Sequence, residues 1–216
     1  MRSRTRIASV VALAGALFFG TAFQAHAVPV HLSAGHVDIL DVDYAAGALT
    51  LQVLDETGST AVERVPADVV FDVPLAAKRT NVPTTPAWSF LGTNGTAWVL
   101  PQSQVQGLLF AGWSTEGVPA GALVGDKVDF NLTSVSGPGG FSVYTTSFGA
   151  PTVLFDSGDD LPDTRSVARN THAHANWGFD APGTYTVIFT VTGVLASTGA
   201  PVTSGPQQFT FVVANA

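Results

Sequence analysis

The chain has 216 residues, 46% of them hydrophobic and only 12% charged, with 22 Gly, 13 Pro, no Cys and a formal net charge of −7. That length suits one domain or two small ones, and the composition is too apolar for a disordered tail. The absence of cysteine excludes a disulfide framework, a thiol nucleophile, a Cys-ligated metal and a lipoprotein anchor, and the acidic balance argues against nucleic acid as a partner.

In chain order, the first element is an address. Arg2, Arg4 and Arg6 precede an almost wholly apolar run from Ile7 to Phe23, which ends at Ala25-His26-Ala27. A basic end, an apolar run and small residues at −3 and −1 make a secretory signal, so residues 1–27 are expected to be removed after Ala27. Three of the nine basic residues and none of the sixteen acidic ones leave with it, which takes the net charge to −10. No second apolar span, sortase motif or lipid-accepting Cys follows. The expectation for 28–216 is a secreted or extracellular protein with no integral membrane span, held at the cell surface through a partner.

From there the pattern is β. His36 to Tyr44 and Ala48 to Leu54 alternate apolar and polar residues about Ala46-Gly47, a hairpin signature. Further strands are expected at Val69–Val73, Ala97–Leu100, Lys127–Val135, Phe141–Phe148, Val153–Phe155, Thr184–Val191 and Gln207–Val213. Between Pro74 and Gly125 the pattern is looser and reads as an excursion over one end of the fold. No stretch of 12 residues sustains a helical period. The expected fold is all-β, a single immunoglobulin-like β-sandwich, with Tyr185 as a corner residue at the start of its strand.

Chemistry concentrates in the histidines. His31 and His36 lie early, and His172 and His174 far downstream in Thr171-His172-Ala173-His174-Ala175-Asn176-Trp177. On an extended backbone alternate side chains share a face, so His172, His174 and Asn176 are expected to project together, as are His36 and Asp38. Two imidazoles at i, i+2 form a half-site for Zn²⁺ or Cu²⁺, and His36 and Asp38 would complete a tetrahedral set if the two clusters met. Otherwise the pair is an element of structure, its ring nitrogens hydrogen-bonded to backbone.

Trp88, Trp98, Trp113 and Trp177 are numerous for this length. They either cap the core or, with Asn176, form a surface for glycan or protein. The acidic run from Asp156 to Asp163 lacks the EF-hand spacing and reads as a solvated turn. Gly-x-Ser-x-Gly, His-Glu-x-x-His and a P-loop are all absent, so no enzyme is expected.

The chain resembles a known family through motifs that occur in this order: Gly35-His36-Val37-Asp38-Ile39, Trp88-Ser89-Phe90-Leu91-Gly92, Trp98-Val99-Leu100-Pro101-Gln102, Gly107-Leu108-Leu109-Phe110, Ser136-Gly137-Pro138-Gly139-Gly140-Phe141 and His172-Ala173-His174-Ala175-Asn176-Trp177. It is similar to the actinobacterial surface-anchored protein domain, the choice-of-anchor M proteins. The resemblance implies a secreted or wall-associated β domain that works beside an ABC importer whose binding protein resembles those for zinc or manganese, and so a role in metal or metallo-ligand acquisition at the cell surface. Many members carry a sortase signal or a C-terminal membrane segment, and residues 28–216 show neither pattern, so attachment through a partner is expected. The chain also has Arg169-Asn170-Thr171 where members tend to have a Gly before the His-x-His.

Overall fold

The computed structural model of the protein describes residues 28–215, and the expected leader, 1–27, lies outside the described residues. The alternating segments fold as strands. In chain order these are β1 (Val30–Leu32), β2 (Gly35–Ala45), β3 (Ala48–Glu56), β4 (Val62–Arg64), β5 (Val69–Val73), β6 (Lys78–Arg79), β7 (Ala97–Leu100), β8 (Leu109–Gly117) and β9 (Lys127–Ser136). There follow β10 (Phe141–Ser147), β11 (Ala150–Asp156), β12 (Asp163–Ala168), β13 (His172–His174), β14 (Asn176–Phe179), β15 (Gly183–Val194), β16 (Pro201–Thr203) and β17 (Gln207–Val213). Helical structure among the described residues is confined to short 3-10 turns, and none of their helices is long and apolar enough to cross a membrane.

Three sheets result. The largest runs β1-β5-β17-β15-β9-β12, with β16 paired to β15. The second is β11-β10-β14-β7-β6 and the third β13-β8-β2-β3-β4. Pairing is antiparallel except for β1 with β5, β5 with β17, and β2 with β8. The large sheet packs its inner face on both of the others. Phe211 of β17 meets Phe141, Trp177 and Phe179 of the second sheet, while Leu49 of β3 and Leu123 close over Gly193 of β15. The chain is therefore an all-β sandwich in which the second and third sheets both cover the first.

β15 shows why periodicity specifies this packing. Tyr185, Val187, Phe189 and Val191 are fully buried, and the residues between them are not. At roughly 25 cal/mol per Å² of apolar surface, each such side chain stabilises the fold by about 1.5–3 kcal/mol. The Tyr185 hydroxyl donates to the Ala181 carbonyl, 2.9 Å away and four residues upstream, so the corner expected there forms. Burial pushes that phenol up to about 12.

The reading of Pro74 to Gly125 as an excursion needs correcting. β8 lies inside the third sheet, between β13 and β2. Nearly all of Leu109 to Thr115 is buried, because an interior strand covered on both faces loses the alternation that identifies half-buried strands. Gly112 sits in the middle of it.

Candidate metal centre

The outer face of the third sheet, away from the core, carries the site. β2 and β3 pair in strict two-residue-hairpin register from Ala45–Ala48 as far as Asp41–Gln52. A bulge then sets Ile39 and Leu40 against Val53 alone, and pairing resumes at Asp38–Leu54. One extra residue reverses the parity of the strand. Val37, Ile39, Leu40 and Val42 are all buried, while His36, Asp38, Asp41 and Asp43 share the opposite face. Without the bulge Asp41 and Asp43 would follow Val37 and Ile39 toward the core.

β8 runs between β2 and β13, and its register sets Gly112 against both Asp38 and His174. Glycine here is a steric requirement. A Cβ would lie 2.5 Å from the Ala173 carbonyl, 2.7 Å from His174 Nδ1 and 2.8 Å from Asp38 Oδ1. The notch lets side chains two strands apart close over the middle strand. Before β13 the chain bends through Asn170, which adopts a left-handed φ of 55°, a conformation Asn tolerates better than most side chains. The buried Thr115 holds that bend: its hydroxyl donates to the Ala168 carbonyl (2.8 Å) and accepts from the Thr171 N–H (3.0 Å).

His36, Asp38, His172 and His174 thus converge, each offering one ligand atom within 4.8 Å of the others, and the cluster can hold a metal ion. His36 Nε2 lies 3.1 Å from His174 Nε2, and Asp38 Oδ1 lies 3.2 Å from His172 Nε2. Bond lengths of about 2.0–2.1 Å to a tetrahedral ion give ligand-to-ligand edges of about 3.3 Å, so two edges of the cluster already have that length. Asp38 Oδ1, near His172 but poorly aligned with it, and His174 Nδ1 are buried polar atoms without a hydrogen bond of good geometry. Orphans of this kind are uncommon in folded proteins.

The surroundings fix these groups in place. Phe110 stacks on His174 with centroids 3.5 Å apart and planes at 11°. Glu56 Oε2 accepts from His36 Nδ1 at 2.6 Å, which fixes the tautomer and leaves Nε2 to face the cluster. Burial, followed by the neighbouring His36 and His172, lowers the His174 imidazole to about 4, against a weaker pull upward from the Ala111 backbone. His174 is therefore neutral at physiological pH, the form that ligates metal. Burial raises the Asp38 carboxyl, and His172 and His36 oppose the shift.

Other candidates go elsewhere. At Ala175 the chain leaves the third sheet for the second, so Asn176 does not project with the two histidines. Its amide instead clamps Gln102, accepting from the backbone N–H and donating to Oε1, both at 2.9 Å. Trp98, Trp113 and Trp177 are buried core residues and form no surface; Trp88 alone of the four is half-exposed. His31 pairs with Asp72, away from the cluster. In the acidic run, Asp156 and Asp163 spend carboxylate oxygens on the backbone N–H groups of Gly158 and Asp156. Glu56 escaped the sequence reading. A strict hairpin about Ala46-Gly47 sets Thr57 opposite His36, and only the bulge brings Glu56 there.

No family model, curated protein or solved structure matches this chain.

Proposed function

We propose that this protein is an exported, non-catalytic module that binds a transition metal, Zn²⁺ in the first place, through His36, Asp38, His172 and His174. The observation that carries the reading is the convergence of four ligand groups from strands 138 positions apart in the chain, with two near-tetrahedral edges. Three imidazoles and one carboxylate in a compact set suit Zn²⁺, whereas Cu²⁺ favours a tetragonal arrangement. The basic, apolar and small-residue succession of 1–27 supports export, and the resemblance to surface-anchored domains supports a place beside a metal-type importer. Metal bound to the folded state alone stabilises it by mass action.

Calorimetric titration of Zn²⁺ into chelator-treated protein tests this. Wild type is expected to take up one ion and melt at a higher temperature. His172→Ala and Asp38→Asn are expected to lose most of the affinity, and Asn176→Ala to keep it despite lower stability. Equal affinity in wild type and His172→Ala would overturn the assignment.

A further inference from the structure

A second cluster of side chains lies on the outer face of the second sheet. The segment between β6 and β7 folds back over this sheet through a 3-10 turn, Pro86–Leu91, and builds a small satellite core apart from the main one. Its members are Val82, Leu91, Ala97, Val99 and Tyr144, with Trp88 and Phe90 packed against them. Beside it opens a groove of about 240 Å³. Pockets for drug-sized ligands run to about 300–1,000 Å³, so this one has room for a single ring.

Three features define what fits. The first is an aromatic wall. Trp88 is half-exposed and braced, offset-stacked on Phe90 at 5.9 Å and nearly perpendicular to Tyr144 at 5.9 Å. Its π face is electron-rich and attracts the weakly positive C–H face of a pyranose. The second is a set of residues in the lining with hydrogen-bonding side chains, Asn81, Tyr144 and Thr146, which suit ring hydroxyls. The third is charge. The groove is lined by the Arg79 guanidinium and by no carboxylate, although acidic residues outnumber basic ones sixteen to nine in the chain. Arg79 adjoins Lys78 on the edge strand β6, and its side chain's hydrogen bond to the protein, to the Ala76 carbonyl at 3.2 Å, occupies one donor of five.

We infer that this groove binds one acidic sugar residue of a glycan, the ring stacking on Trp88 and the carboxylate pairing with Arg79. The inference is independent of the metal centre, which lies on a different sheet.

Tetragalacturonate and maltotetraose serve as probes, titrated calorimetrically into the full chain with chelator present so that metal bridging plays no part. Wild type is expected to bind tetragalacturonate saturably at one site, at least tenfold more tightly than maltotetraose, with the preference shrinking as salt rises. Arg79→Gln, a substitution at the sheet edge, is expected to lower the affinity for tetragalacturonate at least tenfold, to about that for maltotetraose. Trp88→Ala is expected to abolish binding of both probes, with its fold checked by circular dichroism. Absence of saturable binding, equal affinity for the two probes, or an unchanged preference in Arg79→Gln would each overturn the inference.

Discussion

Asp41 lies outside the four candidate ligands, yet its carboxyl is far from that of a free side chain. It is 6% exposed, accepts from Gln52 Nε2 at 3.3 Å and lies on the same strand face as Asp38 and Asp43. Burial first, then repulsion by Asp43 and Asp38, raises its carboxyl from 3.8 to about 6 against the hydrogen bonds from Gln52 and Ser114. A raised carboxyl costs nothing below the unfolded value and destabilises the fold increasingly as pH rises from about 4 to 6. Asp41→Asn is therefore expected to stabilise the metal-free protein at pH 7 by about 1–3 kcal/mol, at about 1.4 kcal/mol per pKa unit. That gain is expected to vanish near pH 4. Urea unfolding at the two pH values checks it, and an equal gain at both would be wrong for a titrating Asp41. Gly112→Ala should act the opposite way. Its methyl has no room beside the Ala173 carbonyl, so a loss of about 1–3 kcal/mol is expected in urea, with weakened Zn²⁺ binding in the same preparation. The four ligand candidates were legible as residue types at strand spacing. Glu56 and Gly112 were not, because their roles depend on a one-residue register shift and on the order of strands across a sheet.

At the scale of elements, two hairpins turn on two residues each, Ala46-Gly47 and Phe148-Gly149, all at positive φ. This is the turn that follows the right-handed twist of paired strands, and Asn-Gly is its preferred sequence. Phe148 departs from that preference, with a bulky side chain at φ 50° and full exposure to solvent. Phe148→Asn is expected to raise the melting temperature by a few degrees, read by thermal unfolding, and a lower value would show that the ring contributes contacts to the fold. The hairpin β2–β3 was readable because alternation and a turn signal coincide there. β8 was not, since burial on both faces erases alternation. β12 escaped for the opposite reason, being mostly exposed and carrying Asp163, Arg165 and Ser166 in place of an apolar face.

The whole molecule separates its surface chemistry by sheet. Packing against the large sheet joins the three into one continuous core. The outer face of the third sheet gathers imidazoles and carboxylates, and that of the second gathers aromatics and a guanidinium. Alternation along the chain foretold an all-β fold but not this division, since outward-facing residues have no periodicity that assigns them to one sheet or another. The division has a consequence in time. β13 is an edge strand of three residues with a single partner, β8, while β14, which follows directly, is an interior strand between β10 and β7. Transient opening that starts at the edge therefore runs through His172 to His174 and stops at Ala175, where Trp177 is anchored in the core. In deuterium oxide the amides of 172–174 are expected to exchange within seconds to minutes in the metal-free protein, and those of 176–179 far later. Bound Zn²⁺ would tie β13 to β2 across β8 and slow the first group alone. A uniform change across both groups would mean that the two strands open as one.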